Sequence, residues 1–296
     1  MARVSILMNG YNSEKYLKEA IDSIYAQTYN DWEIIFIDNC STDSTKEIVD
    51  SYDGSIKYYK TDYNIPLGEA RNWGLQYCKG EYLAFLDTDD IWLKDKLEIQ
   101  IIELEKNKDA QLCYGGVITI NEEGNEIEKM LPHAKSGKVL AQQLIRYEIN
   151  MQSVVIRNNI DISFKETMKF SPDFDLFMKI VSQYPVIVIN NYLVKYRKLK
   201  NSLTSKSIDR WWIETKDTLD CIFLAQPKLK ELYSKEYKFA YAKNNYYHAQ
   251  YLISIDKIKE ARVILSKYKF LSFRYFILYG SLLFSLSFWN FIHRFK

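Results

Sequence analysis

The chain has 296 residues, 47% of them hydrophobic and 26% charged, with 40 basic against 38 acidic side chains. That leaves room for one large α/β domain with a smaller appendage or for two medium domains, and the charge balance offers no basic face of the kind that binds nucleic acid. Cys40, Cys78, Cys113 and Cys221 lack C-x-x-C spacing and the three histidines are scattered, so neither a structural zinc site nor a secreted disulfide framework is expected.

Val4 to Met8 reads as a buried strand, too short for a signal peptide, and a cytoplasmic setting is the default expectation. After Asn12-Ser13, the residues Leu17, Ala20, Ile21, Ile24 and Tyr25 recur at helical spacing. Glu33 to Ile37 is a second apolar strand. Asp43 to Ser51 is a short helix with Ser44 and Glu47 at capping-box spacing, and Ile56 to Lys60 is a third strand. Pro66-Leu67-Gly68 introduces a helix through Cys78, and Tyr82 to Leu86 is a fourth strand. This alternation of helices with continuously apolar strands predicts an α/β fold, a mainly parallel sheet with helices on both faces. Further strands are expected over Gln111 to Ile120, Met151 to Arg157 and Pro185 to Tyr196, with a helix from Asp173 to Ser182. Beyond Ser207 only helical patterns follow, over Trp211 to Leu224, Tyr233 to Ile253 and Asp256 to Tyr268. The polar stretch from Lys198 to Ser202 puts a boundary near 200–207. The expected division is therefore a domain over 1–205, a helical extension over 206–269 and a hydrophobic tail over 270–296.

Ligands of parallel sheets sit beyond the edge where the strand C-termini emerge. Three strands deliver polar groups there: Asn9-Gly10-Tyr11-Asn12 after the first, Asp38-Asn39 after the second and Asp87-Thr88-Asp89-Asp90 after the fourth. Two carboxylates at i, i+2 suit one hard divalent cation, Mg²⁺ or Mn²⁺, which neutralises a diphosphate leaving group. The plainer reading is that Asp89 or Asp90 caps a helix starting near Ile91-Trp92. Asp38 is suited to accept the imide N–H of a pyrimidine, or to serve as a turn residue in Asp38-Asn39-Cys40-Ser41. Arg71, near a helix N-terminus, suits a diphosphate or a surface ion pair with Glu69 or Asp62.

Together these segments resemble family 2 glycosyltransferases with the Rossmann-like GT-A fold, over about residues 3–205. The resemblance is carried by Val4 to Asn12, Ala26-Gln27-Thr28-Tyr29, Ile37 to Asp43, Gly68-Glu69-Ala70-Arg71-Asn72 and Phe85 to Asp90, in that order and at these separations. It implies that Tyr11 and Asp38 contact the nucleoside base, Arg71 the diphosphate, Asp87 the ribose and Asp89 the metal. It also implies transfer by single displacement with inversion, with one carboxylate as general base. The family's acid pair before a helix falls on Pro172-Asp173, so Asp173 takes the base's position while the preceding Glu is replaced by proline. Ser171 as N-cap and Pro172 at N1 also make a good helix start, and a helix N-terminus tends to lower the pKa of Asp173. Lys195-Tyr196-Arg197 through Leu203 resembles the family's closing segment, with Leu199 where many members carry a histidine. Gln152 and Arg197 are candidates for the acceptor or diphosphate side.

Tyr275 to Ile292 is eighteen mostly apolar residues bounded by Arg274 and by His293, Arg294 and Lys296. Apolar side chains occur all round, and the length is marginal for a hydrocarbon core of about 30 Å. Two expectations stand: a tail dipping into the cytoplasmic leaflet, or a helix buried against the preceding bundle. The whole points to a metal-dependent transferase taking a sugar from a nucleotide-diphosphate donor, with a lean to UDP, to a lipid-linked or polysaccharide acceptor at the inner membrane face. The alternatives are a nucleotidyltransferase, which expects a Gly-rich phosphate loop that Asn9-Gly10-Tyr11-Asn12 is not, and a non-catalytic scaffold.

Overall fold

The structure, a computed structural model, describes residues 2–199 and 211–284. Contacts divide the chain into two compact units, one of Met1–Gln143 with Tyr147–Lys200 and one of Leu144–Arg146 with Asn201–Lys296. The boundary expected near 200–207 lies outside the described residues, as does the segment Asn201-Ser202-Leu203.

The first unit is built on a nine-stranded sheet. Its first half holds β1 (Val4–Gly10), β2 (Trp32–Asp38), β3 (Ile56–Lys60) and β4 (Tyr82–Phe85), paired in parallel in the order β3-β2-β1-β4. β1, β2 and β4 are buried along nearly their whole length because helices cover both faces of the sheet, whereas the edge strand β3 exposes Lys57 and Lys60. On one face α1 (Leu17–Tyr25) buries Leu17, Ala20, Ile21 and Ile24 against Ile6, Met8, Ile34 and Phe36. On the other lies α3 (Leu67–Leu75), where a Cβ on Gly74 would come within 2.4 Å of Leu7 and 2.8 Å of Ile37. Only glycine lets that helix lie so close to the sheet.

Beyond β4 the order continues through β8 (Val155–Arg157), β6 (Leu112–Ile120), β9 (Val186–Arg197) and β5 (Ile91–Trp92), with β7 (Glu126–Met130) hydrogen-bonded to β6. Of these pairings only β6 with β9 is parallel, over nine residue pairs; the antiparallel ones are short. The remaining helices are α2 (Thr45–Asp50), α4 (Lys96–Lys106), α5 (Leu140–Ile145) and α6 (Pro172–Gln183).

Three local expectations are corrected. The helix expected near Ile91-Trp92 starts at Lys96, because Ile91 and Trp92 pair with Lys195 and Val194 as a two-residue strand. Neither Asp89 nor Asp90 caps it. The strand expected from Met151 begins only at Val155; Met151–Ser153 form a single 3₁₀ turn capped by Asn150, whose side chain accepts from Gln152 N at 3.0 Å. At α2 the Ser44 hydroxyl makes no cap bond; the Asp43 carboxylate accepts from Thr45 N at 3.1 Å instead.

The second unit contains helices Trp211–Ala225, Pro227–Leu232, Ser234–Ser254, Ile258–Ser266 and Phe273–Phe284. The last has two apolar faces with different fates. Leu278 and Leu282 are buried with Tyr246, Ala249, Leu252, Ala261 and Leu265, and Arg262 Nε donates to Leu282 O at 2.7 Å. Phe273, Phe276 and Ile277 are exposed. The packed-helix expectation therefore holds for one face of Phe273–Phe284; residues 285–296 lie outside the described part.

Candidate active site

Two loops at the C-terminal edge of the sheet are stitched together. Asn12, in the left-handed region at φ 51°, accepts from Thr42 N through Oδ1 (2.9 Å) and donates its own N–H to Ser41 Oγ (2.9 Å). Gly10 is required beneath them, since a Cβ there would meet the Phe36 ring at 2.8 Å. The stitching leaves Tyr11 standing out, 55% exposed, as an aromatic surface at the rim.

Asp38 ends β2 fully buried. One carboxylate oxygen accepts from Ser41 N at 2.7 Å; the other accepts from the Tyr58 hydroxyl and lies 3.8 Å from Lys60 Nζ. The turn role is thus realised in the free chain, and burial together with the Asp38 carboxylate pushes the Tyr58 phenol well above its ordinary value, keeping it a donor.

Arg71 does not pair with Glu69 or Asp62. It is buried, its guanidinium 5.3 Å from the Phe164 ring, and Nη2 donates to Asp87 Oδ1 at 3.1 Å. Asn72, next along α3, fixes Phe164 by accepting its N–H at 2.7 Å and donating to its carbonyl at 2.8 Å.

Gln152 is not an open acceptor-side group. It is buried and grips Asp87 at both ends: Oε1 accepts from Asp87 N at 2.8 Å and Nε2 donates to Asp87 Oδ2 at 2.7 Å. With Arg71 on the other oxygen, the Asp87 carboxylate is held from two sides before any ligand arrives.

Arg197 is likewise corrected. It is buried beneath the acidic loop, its Nε donating to Asp89 O (2.9 Å), Nη1 to Glu122 O (3.1 Å) and Nη2 to Glu19 (2.5 Å). Its backbone N–H donates to Asp90 Oδ1 at 2.7 Å. A guanidinium so committed shapes the Asp87–Asp90 loop from below and is not free for a diphosphate.

The acidic loop carries its own electrostatic signature. Burial, then repulsion from Asp87, raises the Asp89 carboxyl to about 6. Asp90, turned inward against Arg197, is raised further by burial and by both neighbours. Such an array suits a hard divalent cation, which would offset the mutual repulsion. Among the described residues no three His, Cys, Asp or Glu side chains converge as a self-sufficient cage, so Asp89 fits a site completed by ligand oxygens and water.

Asp173 stands at the second residue of α6, after Pro172 at N1. The Ser171 side chain makes no cap bond, so that part of the expected helix start is absent. The expected lowering of the Asp173 pKa is overturned. Protein crowds its carboxyl although the residue keeps some solvent exposure, and this desolvation outweighs Arg71 and the helix N–H groups, with Asp87 adding repulsion. The carboxyl is therefore raised, and Arg71 and Asp87 are its charged neighbours. Tyr11 and Asp38 come from one pair of loops, and Arg71, Asp87 and Asp173 from another cluster beside the acidic loop.

Lys96 and Gln100 are the polar residues that sequence reasoning passed over. Both are buried behind Gln152–Val154. Gln100 Nε2 donates to Ser153 O at 2.8 Å, and Lys96 Nζ sits 4.0 Å above the Trp92 ring, its ammonium pushed down to about 7 by burial. Their i, i+4 spacing on the apolar stripe of Leu97, Ile101 and Leu104 was the available signal.

The model of the glycosyl transferase family 2 domain matches residues 5–174. The chain belongs to glycosyl transferase family 2. An uncharacterised glycosyltransferase of Methanocaldococcus jannaschii is 33% identical over 66% of this chain and 70% of its own length. The Escherichia coli UDP-Glc:α-D-GlcNAc-diphosphoundecaprenol β-1,3-glucosyltransferase WfgD is 32% identical over 71% of this chain and 83% of its own. Among solved structures, Staphylococcus aureus TarS 1-349 in complex with UDP superposes with a TM-score of 0.60 at 19% identity, covering 88% of this chain and 87% of that one. Pyrobaculum calidifontis mannosyltransferase PcManGT, in complex with GDP-Man and Mn²⁺, gives 0.60 at 16% identity, covering 90% and 75%. The family 2 chain thus has the GT-A fold expected of it, and it is a glycosyltransferase.

Proposed function

We propose that this glycosyltransferase moves a sugar from UDP to a lipid-linked acceptor in surface glycan synthesis, with inversion and with a divalent metal bound at Asp89. The observation that carries it is the convergence of Arg71, Asp87 and Asp173 beside the acidic loop, with Asp87 already gripped by Gln152. The donor and acceptor class rest on WfgD, whose name states a UDP-glucose donor and a diphosphoundecaprenol-linked acceptor.

The chain's own residues divide the work as follows. Tyr11 offers a face to the nucleoside and Asp38 shapes the turn beneath it. Asp87, oriented by Gln152, takes the ribose, and Arg71 carries a donor edge to the diphosphate. Asp173 withdraws the proton of the attacking hydroxyl, for which a pKa raised toward neutrality improves the match. Asp89 would hold a Mn²⁺ or Mg²⁺ ion, which would supply charge neutralisation to the departing diphosphate. Measuring nucleotide release across UDP-, GDP- and dTDP-sugars with Mn²⁺ or Mg²⁺ tests this; release from a UDP-sugar that rises with added lipid-diphosphate sugar is expected. No stabilisation, hydrolysis or transfer with any donor would favour a binding scaffold.

Among the described residues no helix is long and apolar enough to cross a membrane. Phe270, Phe273, Phe276 and Ile277 are nonetheless exposed, and Lys269 Nζ lies 5.0 Å from the centre of the Phe270 ring. Exposed aromatics beside a lysine suit a bilayer surface with anionic headgroups, each buried Phe contributing roughly 1.5–3 kcal/mol. The double change Phe270→Ser, Phe273→Ser is expected to weaken sedimentation with anionic vesicles at least tenfold. Equal sedimentation would count against this surface.

A further inference from the structure

The hydroxyl of Tyr147 is a buried polar atom without a hydrogen-bond partner among the described residues. An unmade bond of that kind is costly, by about 1–3 kcal/mol, and is retained where a function uses it. The ring is fixed against the residue that follows the candidate base, with the Tyr147 and Phe174 centroids 4.7 Å apart at 67°.

Two polar groups near it, Glu148 next in sequence and Tyr114, are engaged with other partners. The adjacent Glu148 carboxylate accepts from His133 N at 2.9 Å and Ala134 N at 2.8 Å, and from the Tyr114 hydroxyl at 3.3 Å. The Tyr114 hydroxyl also accepts from Gln143 Nε2 at 2.8 Å. The Asp173 carboxylate is the foremost charged group acting on the Tyr147 phenol. Burial and that negative charge both keep the phenol protonated, hence a donor.

We propose that Tyr147 is the positioning residue of the base, its hydroxyl donating to the Asp173 carboxylate when donor and acceptor fill the site. The bond is open in the ligand-free chain, as catalytic hydrogen bonds often are before the substrate complex forms. Donation to the ionised form holds one oxygen in place and leaves the other to face the attacking hydroxyl. It also offsets the burial and the Asp87 charge that favour the protonated acid, alongside Arg71. The inference rests on Asp173 being the base.

Tyr147→Phe deletes the oxygen alone. Steady-state transfer is to be followed from pH 5 to 9, using the UDP-sugar that gives release and a GlcNAc-diphospholipid as acceptor. The expected result is a kcat lowered about tenfold, a donor KM within twofold of wild type, an unchanged melting temperature, and an acid limb moved up by about one pH unit. An acid limb and kcat equal to wild type would overturn the proposal, whatever the melting temperature. Asp173→Asn separates the two readings. If it keeps normal turnover, the base assignment fails and this inference with it; if it is inactive while Tyr147→Phe behaves as wild type, only the role of Tyr147 is lost. Absence of transfer by the wild-type chain would remove the ground for both.

Discussion

Replacing Asp173 with asparagine is expected to lower transfer by about 10²–10⁴-fold while leaving UDP binding within twofold of wild type. The amide keeps the shape and the helix N–H contacts but cannot take a proton. Because Asp173 neighbours Arg71 and Asp87, a loss of nucleotide affinity would instead mark it as part of the donor site. The wild-type pH profile carries the same information. A base works only when ionised, and the carboxyl is raised by burial, so turnover should fall as pH drops through a value above the ordinary carboxylate range. Titration calorimetry with UDP beside turnover assays of both proteins checks the split; near-normal turnover of Asp173→Asn would end the assignment.

The positions of the chemical groups were largely legible in the sequence, because the end of a buried strand is a local signal. Asp38, Asp87 and the loop after β1 all follow continuous apolar runs, and the structure has them at the C-terminal edges of β2, β4 and β1. Their roles were less legible. Gln152 and Arg197 read as groups facing a substrate, yet both are buried and spend their donors on Asp87 and on the Asp89 carbonyl. Sequence reveals that a polar residue is present near a site; which way it points depends on contacts with residues 65 and 108 positions away, as in these two bonds. The sign of the Asp173 shift failed for the same reason. The helix N-terminus is local and visible, whereas the desolvation that outweighs it comes from tertiary packing.

The fold divides similarly. The parallel half of the sheet was readable from strand–helix alternation, whereas β5 was not: two residues have no period, and Ile91-Trp92 is a strand only because β9 lies beside it. Met151 reads as the start of the apolar run that continues at Val154–Ile156, but Asn150 captures Gln152 N and turns the chain first. That turn points Gln152 at Asp87, so the misread element is the one that orients the site.

Asp89→Asn is expected to abolish metal stimulation and to lower turnover by about 10²–10³-fold, within the several kcal/mol that charge stabilisation of a leaving group supplies. In the free chain the Asp89 carboxyl titrates near 6 because it is buried beside Asp87. A cation binds the ionised form, so binding must expel the proton below that pH. Apparent Mn²⁺ affinity in the presence of UDP should therefore be nearly constant above about pH 7 and fall toward tenfold per pH unit below about 6. In Asp89→Asn that slope should disappear along with the affinity. Manganese-dependent thermal shifts, measured with UDP from pH 5 to 8, read both quantities without requiring turnover. If the variant kept the wild-type manganese response, the ion would have to be held by another group, and Asp87 would be the next to replace. The Asp87 carboxylate is already divided between Arg71 and Gln152, however, which leaves Asp89 as the carboxylate of the pair that no side-chain donor holds among the described residues.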